Sequence, residues 1–321
     1  MVAMEIVRGF QTIRIISSDG STSAVFVLER GAVASSILMP NHQGERELLF
    51  LHHHFWNKTI DDLPGGWPFC FPVCGRLKRQ GRMGAYLYDG KIYTLPIHGF
   101  AWQRSWTVAS ADDDHVVFIL RDDAGTHKQY PFSFEVMLHY TVGRGKLMCQ
   151  QTYANFSDRP MPYYAGFHPY FLTGFPGQGK ERTLLQYYPT RRFIYNQDLT
   201  DILGETDLFP LPQSVSASVI NEQLTQVGQK KEIQLCYPEG DILHLLAEGV
   251  EDPQLFSYIQ LYTVAEQPFI CVEPWMAYPN AMNSIQGVHW LLPGQREQGV
   301  LSLWLEGKSS DEVACNREGV G

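Results

Sequence analysis

Four segments of this 321-residue chain set a titratable side chain among glycine, proline and aromatic residues. The first runs from Gly65-Gly66-Trp67-Pro68-Phe69-Cys70-Phe71-Pro72 on to Gly75-Arg76-Leu77. The others are Ile97-His98-Gly99-Phe100-Ala101, Gly166-Phe167-His168-Pro169-Tyr170-Phe171 and Val272-Glu273-Pro274-Trp275. Alone, each has an ordinary structural explanation: a histidine beside proline and aromatics is usually packed and hydrogen-bonded, and a glutamate before proline usually ends a strand. Together, two histidines, a glutamate and an arginine in rigid apolar settings make a general acid–base set. Histidine titrates near ~6.5, so it can hold or release a proton at neutral pH. Glu273, between Val272 and the Pro274-Trp275 pair, is partly desolvated, which lifts a carboxyl toward the working range of a base.

The elements that must position these groups read as strands. From Phe132 to Val142 the residues Phe132, Phe134, Val136, Leu138, Tyr140 and Val142 alternate with more polar neighbours, the period of a half-buried antiparallel strand. Shorter runs of the same kind occur at Thr12–Ile16, Ala24–Leu28, His115–Leu120, Lys146–Tyr153, Glu232–Tyr237, Phe256–Thr263, Phe269–Val272 and Leu301–Glu306. No stretch keeps a 3.6-residue apolar spacing. Many short strands divided by turn residues, as at Gly174–Gly179, specify an all-β fold, a sandwich or barrel. No composition shift marks a linker, so residues 1–307 are expected to form a single domain. Residues 308–321, polar and aperiodic, read as a flexible tail.

Composition removes several functions. A net charge of −9 argues against nucleic acid as a partner, because phosphate binding needs a basic face. No apolar run approaches the ~18 residues of a membrane span. The N-terminus lacks a secretory layout, so a cytoplasmic location is expected. Six cysteines at 70, 74, 149, 236, 271 and 315 are too scattered for a disulfide framework or a zinc site and read as reduced thiols. Gly174–Lys180 (GFPGQGK) has the spacing of a phosphate loop, but Glu181 stands where a magnesium-binding Ser or Thr is needed and no helical pattern follows. The His52-His53-His54 triplet cannot aim three adjacent side chains at one ion if it is a strand, so no metal is expected there or elsewhere.

The four segments, in order and spacing, resemble the aldose 1-epimerase (galactose mutarotase-like) family from about residue 10 to 306. The matching signatures are GG-x-P-x-x-FP with the later Gly-Arg, HGFA, G-x-HPYF and EPW. The resemblance implies a large antiparallel β-sandwich with the site in a cleft across one concave sheet, and no cofactor. It implies that Glu273 is the general base that takes the proton from a sugar's C1 hydroxyl. His168 would be the acid that protonates the ring oxygen, with His98 and Arg76 holding and polarising the sugar. Trp275 of EPW joins the substrate-binding set. The chemistry is simple: opening a hemiacetal requires a proton in at one oxygen and out at its neighbour.

Two positions depart from the family. The substrate-binding Asp before the last strands is matched by Asn221 in Val219-Ile220-Asn221-Glu222. Where many relatives, including those acting on hexose 6-phosphates, carry Arg directly after HGFA, this chain has Trp102, which removes a bidentate phosphate partner and offers an aromatic face to a sugar ring. A cofactor-independent mutarotase for free aldohexoses is therefore the expected function. A hexose-6-phosphate mutarotase using Arg79, Arg82 or Arg104, and a non-catalytic carbohydrate-binding protein on the same fold, are the alternatives. The sequence leaves the oligomeric state open.

Overall fold

The computed structural model describes residues 4–60, 62–63 and 65–307. Three antiparallel sheets dominate. The N-terminal one has five strands in sequence order: Met4–Val7, Phe10–Ile16, Ser23–Val27, Val33–Asn41 and Gly44–Glu47. A nine-stranded sheet is centred on Phe134–Gly143, Lys146–Asn155, Arg296–Gly307 and Asp241–Gly249. The period-two reading of the first of these holds: inward residues of Phe134–Gly143 are buried and the intervening ones half-buried. It pairs over its full length with Lys146–Asn155.

The third sheet, of eight strands, carries the chemistry. Its order places Pro189–Tyr195, Gln223–Val227, Tyr258–Thr263 and Phe269–Trp275 side by side, and then Gly166–Phe167 and Phe69–Cys70. Three of the four sequence segments thus become adjacent strands or strand ends. Phe269–Trp275 is buried at every position, as expected for a central strand covered on both faces. The expected strand end at Val272 moves to Trp275, so Glu273 projects from the strand itself. Tyr258–Thr263 lies beside it, with Gln260 directly opposite Glu273.

One cluster of buried apolar side chains runs from Ile13 to Leu305 and joins the sheets. Helix is confined to Ala124–Gln129, Ala281–Ser284 and four single 3₁₀ turns among the described residues. Among the described residues no helix is long and apolar enough to cross a membrane. Cys70, Cys74, Cys149 and Cys271 are free and buried. The tail expected over 308–321 lies outside the described residues.

Candidate active site

The motif segments dock against one another through close backbone contacts. The amides of Phe100 and Ala101 both donate to the Phe71 carbonyl, at 3.0 and 3.2 Å. This approach requires a glycine at 99, where φ is +70° and a Cβ would fall 2.2 Å from that same oxygen. A Cβ on Gly166 would sit 2.6 Å from Trp275 Cδ1. The glycine of one motif is therefore dictated by the tryptophan of another.

At their junction Glu273, 1% exposed, and His168, 5% exposed, face each other with Oε1 3.3 Å from Nε2. The His168 amide is fixed by the Pro68 carbonyl at 2.9 Å, and its ring stacks on Tyr170 at 4.8 Å and 17°. Burial, reinforced by the charge of Glu222, holds the Glu273 carboxyl well above the usual carboxylate range. Burial, with His98 nearby, holds His168 well below the usual imidazole value. Both shifts disfavour the charged forms of the two groups. Among the described residues Glu273 Oε2 and His168 Nδ1 are buried without a hydrogen bond of good geometry, and the nearby Trp275 indole draws the Glu273 carboxyl partly back down.

His98 completes the group, its ring 4.9 Å from that of His168 and edge-on to it. Its Nδ1 accepts a hydrogen bond from the Gly75 amide at 3.2 Å. An acceptor Nδ1 in a neutral imidazole places the proton on Nε2, and burial beside the Arg76 charge keeps the ring neutral by pulling its pKa down to about 3. This bears on metal binding, because donor atoms of His98, His168 and Glu273 all lie within 4.8 Å of one another. A metal-bound imidazole donates through its second nitrogen, whereas His98 accepts there. The donor set fits a hydrogen-bonding role for Nε2–H better than an ion.

A cleft of about 290 Å³ opens on these three residues, with Gly75, Arg76, Tyr195, Glu222, Gln260, Tyr262 and Trp275 in its wall and His52 and Asp62 among the residues that line it. Arg76 donates to the Asp198 carbonyl at 3.3 Å. Of the residues expected from sequence, Glu273, His168, His98, Arg76 and Trp275 are thus brought together. Trp102 is not. It is 1% exposed, packs with Leu63, Tyr170 and Phe269, and spends its indole N–H on the Ile97 carbonyl; it supports the wall from behind and presents no face to the cleft.

Asn221 is also displaced by one position. Its Oδ1 accepts from the Thr263 amide at 3.1 Å, while Glu222, with a left-handed φ of +54°, lines the cleft. An acidic side chain therefore does enter the cleft, from the residue after Asn221. Arg79 bonds Asn283, Arg82 is exposed, and Arg104 pairs with Asp123 in a separate groove; none lines the cleft. The phosphate-loop look-alike is structural, since Lys180 Nζ donates to the carbonyls of Val264 and Gln267. The histidine triplet forms a turn in which His52 stacks on His54 and His54 pairs with Asp62.

The family model for aldose 1-epimerases matches residues 14–303. The chain therefore belongs to the aldose 1-epimerase family, enzymes that interconvert sugar anomers. The chromosomal LacX protein of Lactococcus lactis subsp. lactis is 26% identical over 237 residues, 69% of this chain and 77% of that protein. An Escherichia coli (strain K12) protein described provisionally as a glucose-6-phosphate 1-epimerase is 29% identical over 135 residues, 41% of this chain and 40% of its own. The solved galactose mutarotase-like protein of Lactobacillus casei superposes with a TM-score of 0.76 at 23% identity, covering 92% of this chain and all of the other (100%).

Proposed function

We propose that the chain is a cofactor-independent mutarotase for unphosphorylated aldohexoses. The observation that carries this reading is the buried Glu273–His168 contact at 3.3 Å, open to a cleft lined by hydrogen-bonding groups. In the reacting tautomer Glu273 is the carboxylate and His168 the imidazolium. Glu273 takes the proton of the C1 hydroxyl, the C1–O1 bond becomes a carbonyl, the bond from C1 to the ring oxygen breaks, and His168 protonates that oxygen. The pair then holds one proton, as before, but on the carboxyl. Rotation about C1–C2 presents the other aldehyde face. Reclosure returns the proton by the reverse steps, so no proton need be exchanged with solvent. Nε2–H of His98 and the Arg76 guanidinium donate to sugar oxygens. Positioned acid and base groups each contribute about 10²–10⁴-fold.

The E. coli relative's name raises a 6-phosphate as a second reading. Against it, Arg76 is the one Lys or Arg side chain lining the cleft among the described residues. It is already engaged by Asp198 and faces the Glu222 charge, which leaves no bidentate clamp for a phosphate. Anomer-exchange rates by NMR for glucose, galactose and their 6-phosphates decide between the two. Free hexoses are expected to give the higher kcat/KM; a clear preference for a 6-phosphate would replace this reading with the second.

A further inference from the structure

The second acid of the cleft is held in place by residues outside the reacting pair. The bond from Thr263 to Asn221 pins the turn that gives Glu222 its left-handed backbone, an unfavourable conformation for a residue with a side chain, of a kind often kept at functional sites. Gln260 Nε2 donates to Glu222 Oε2 at 3.1 Å, and the Tyr195 hydroxyl donates to Gln260 Oε1 at 2.7 Å. Each bond fixes the next. With its oxygen held by Tyr195, the amide must turn its nitrogen toward Glu222, which as a carboxylate only accepts. Gln260 is 3% exposed and stands across the sheet from Glu273, so one neutral amide neighbours both acids.

We propose that Tyr195 and Gln260 are positioning residues that hold Glu222 beside Glu273, and that Glu222 so held sets the pH window in which the Glu273–His168 pair keeps its single proton. This rests on Glu273 and His168 being the working pair. The groups facing Glu273 leave few other candidates. His98 is neutral, and burial lifts the thiols of Cys70, Cys74 and Cys271 and the phenols of Tyr170, Tyr195 and Tyr262 above their ordinary values, so none carries charge at neutral pH. Asp62, its side chain 75% exposed, pairs with His54. His52, which faces His168, is held below the ordinary imidazole value by burial, which leaves Glu222 and Arg76. Glu222 is raised by burial and drawn back down by Arg76, and the Gln260 donor favours its charged form. A negative charge there makes the pair's proton harder to remove and a second proton easier to add. Both edges of the window therefore move to higher pH.

The test is an NMR titration of the Glu273 carboxyl in the full-length, ¹³C-glutamate-labelled protein, assigned by its loss in Glu273→Gln. Glu222→Gln is expected to lower the midpoint by about one pH unit or more. Tyr195→Phe, which removes only a hydroxyl, and Gln260→Met, which removes only the amide, are expected to lower it by less. Neither is expected to lower it further in the Glu222→Gln background, because both act through Glu222. An unmoved midpoint in Glu222→Gln overturns the proposal, as does a Tyr195→Phe shift of equal size with and without Glu222. If Gln260→Met does not fold, Tyr195→Phe carries the test. Anomer-exchange rates on the same wild-type sample keep the two claims apart. Absence of exchange with the expected titration pattern would contradict the mutarotase reading and still support the coupling.

Discussion

Gly75 and His98 are bonded to each other twice, the Gly75 amide to His98 Nδ1 at 3.2 Å and the His98 amide to the Gly75 carbonyl at 3.0 Å. The pairing locks a histidine whose φ is +60° and fixes its tautomer, so Nε2 faces the cleft as a donor. His98→Asn is therefore expected to raise KM and lower kcat together, by about 10-fold or more in kcat/KM, since a donor to the sugar is lost. Steady-state anomerisation kinetics check this.

The same tautomer predicts indifference to chelators. Exhaustive dialysis against a strong chelator is expected to leave the exchange rate unchanged. A large loss restored by zinc or manganese would mean that His98 turns its lone pair, not its proton, toward the cleft.

The pH profile follows from the directions of the two shifts. Activity needs one proton on the pair. A second proton is added only below the ordinary imidazole value, because burial lowers His168. The last proton leaves only well above the ordinary carboxylate value, because burial and Glu222 raise Glu273. The expected kcat profile falls on the acid side only below ~6.5, and its alkaline limb lies well above the ordinary carboxylate range. A midpoint for the acid limb at or above that value contradicts the burial argument.

Glu273 should cost stability while it confers activity. Its folded-state pKa is raised, so its contribution is fully present below the ordinary carboxylate pKa and is lost as pH rises toward the folded value. Glu273→Gln carries no such loss. The Tm advantage of the Gln variant over wild type is expected to grow from about pH 4.3 upward, measured by melting curves across pH. A Gln variant that melts lower at neutral pH would show that the carboxyl supports the strand.

The Gly166–Trp275 contact gives a packing prediction. Gly166→Ala puts a methyl 2.6 Å from the Trp275 ring, within the strand that carries Glu273. Overpacking of this kind costs about 1–3 kcal/mol, and displacing Trp275 should lower kcat as well. Denaturant melts and kinetics on the same variant read both effects.

Much of this was legible in the sequence because it depends on local pattern. The alternation from Phe132 to Val142 specified its strand, and the Gly, Pro and aromatic settings of His98, His168 and Glu273 marked the segments that meet. What escaped depends on register and backbone hand. Nothing local distinguishes Asn221 from Glu222; the left-handed φ at 222 and the Thr263 bond to Asn221 decide which enters the cleft. Gln260 is a polar residue in an apolar run until pairing puts it opposite Glu273. Trp102 looked available to a sugar by its place after HGFA, but the 3₁₀ turn Ala101–Gln103 rotates it into the support cluster behind the cleft.

The central claim is that Glu273 and His168 act on one sugar as a single proton-transfer unit. Equilibrium NMR exchange between α and β anomers, with wild type, Glu273→Gln, His168→Asn and the double variant, tests it most directly. The account predicts a loss of at least about 10²-fold for each single variant with folding intact, and little further loss in the double, because residues acting as a unit are not additive. A folded Glu273→Gln variant that exchanges anomers at close to the wild-type rate would contradict it.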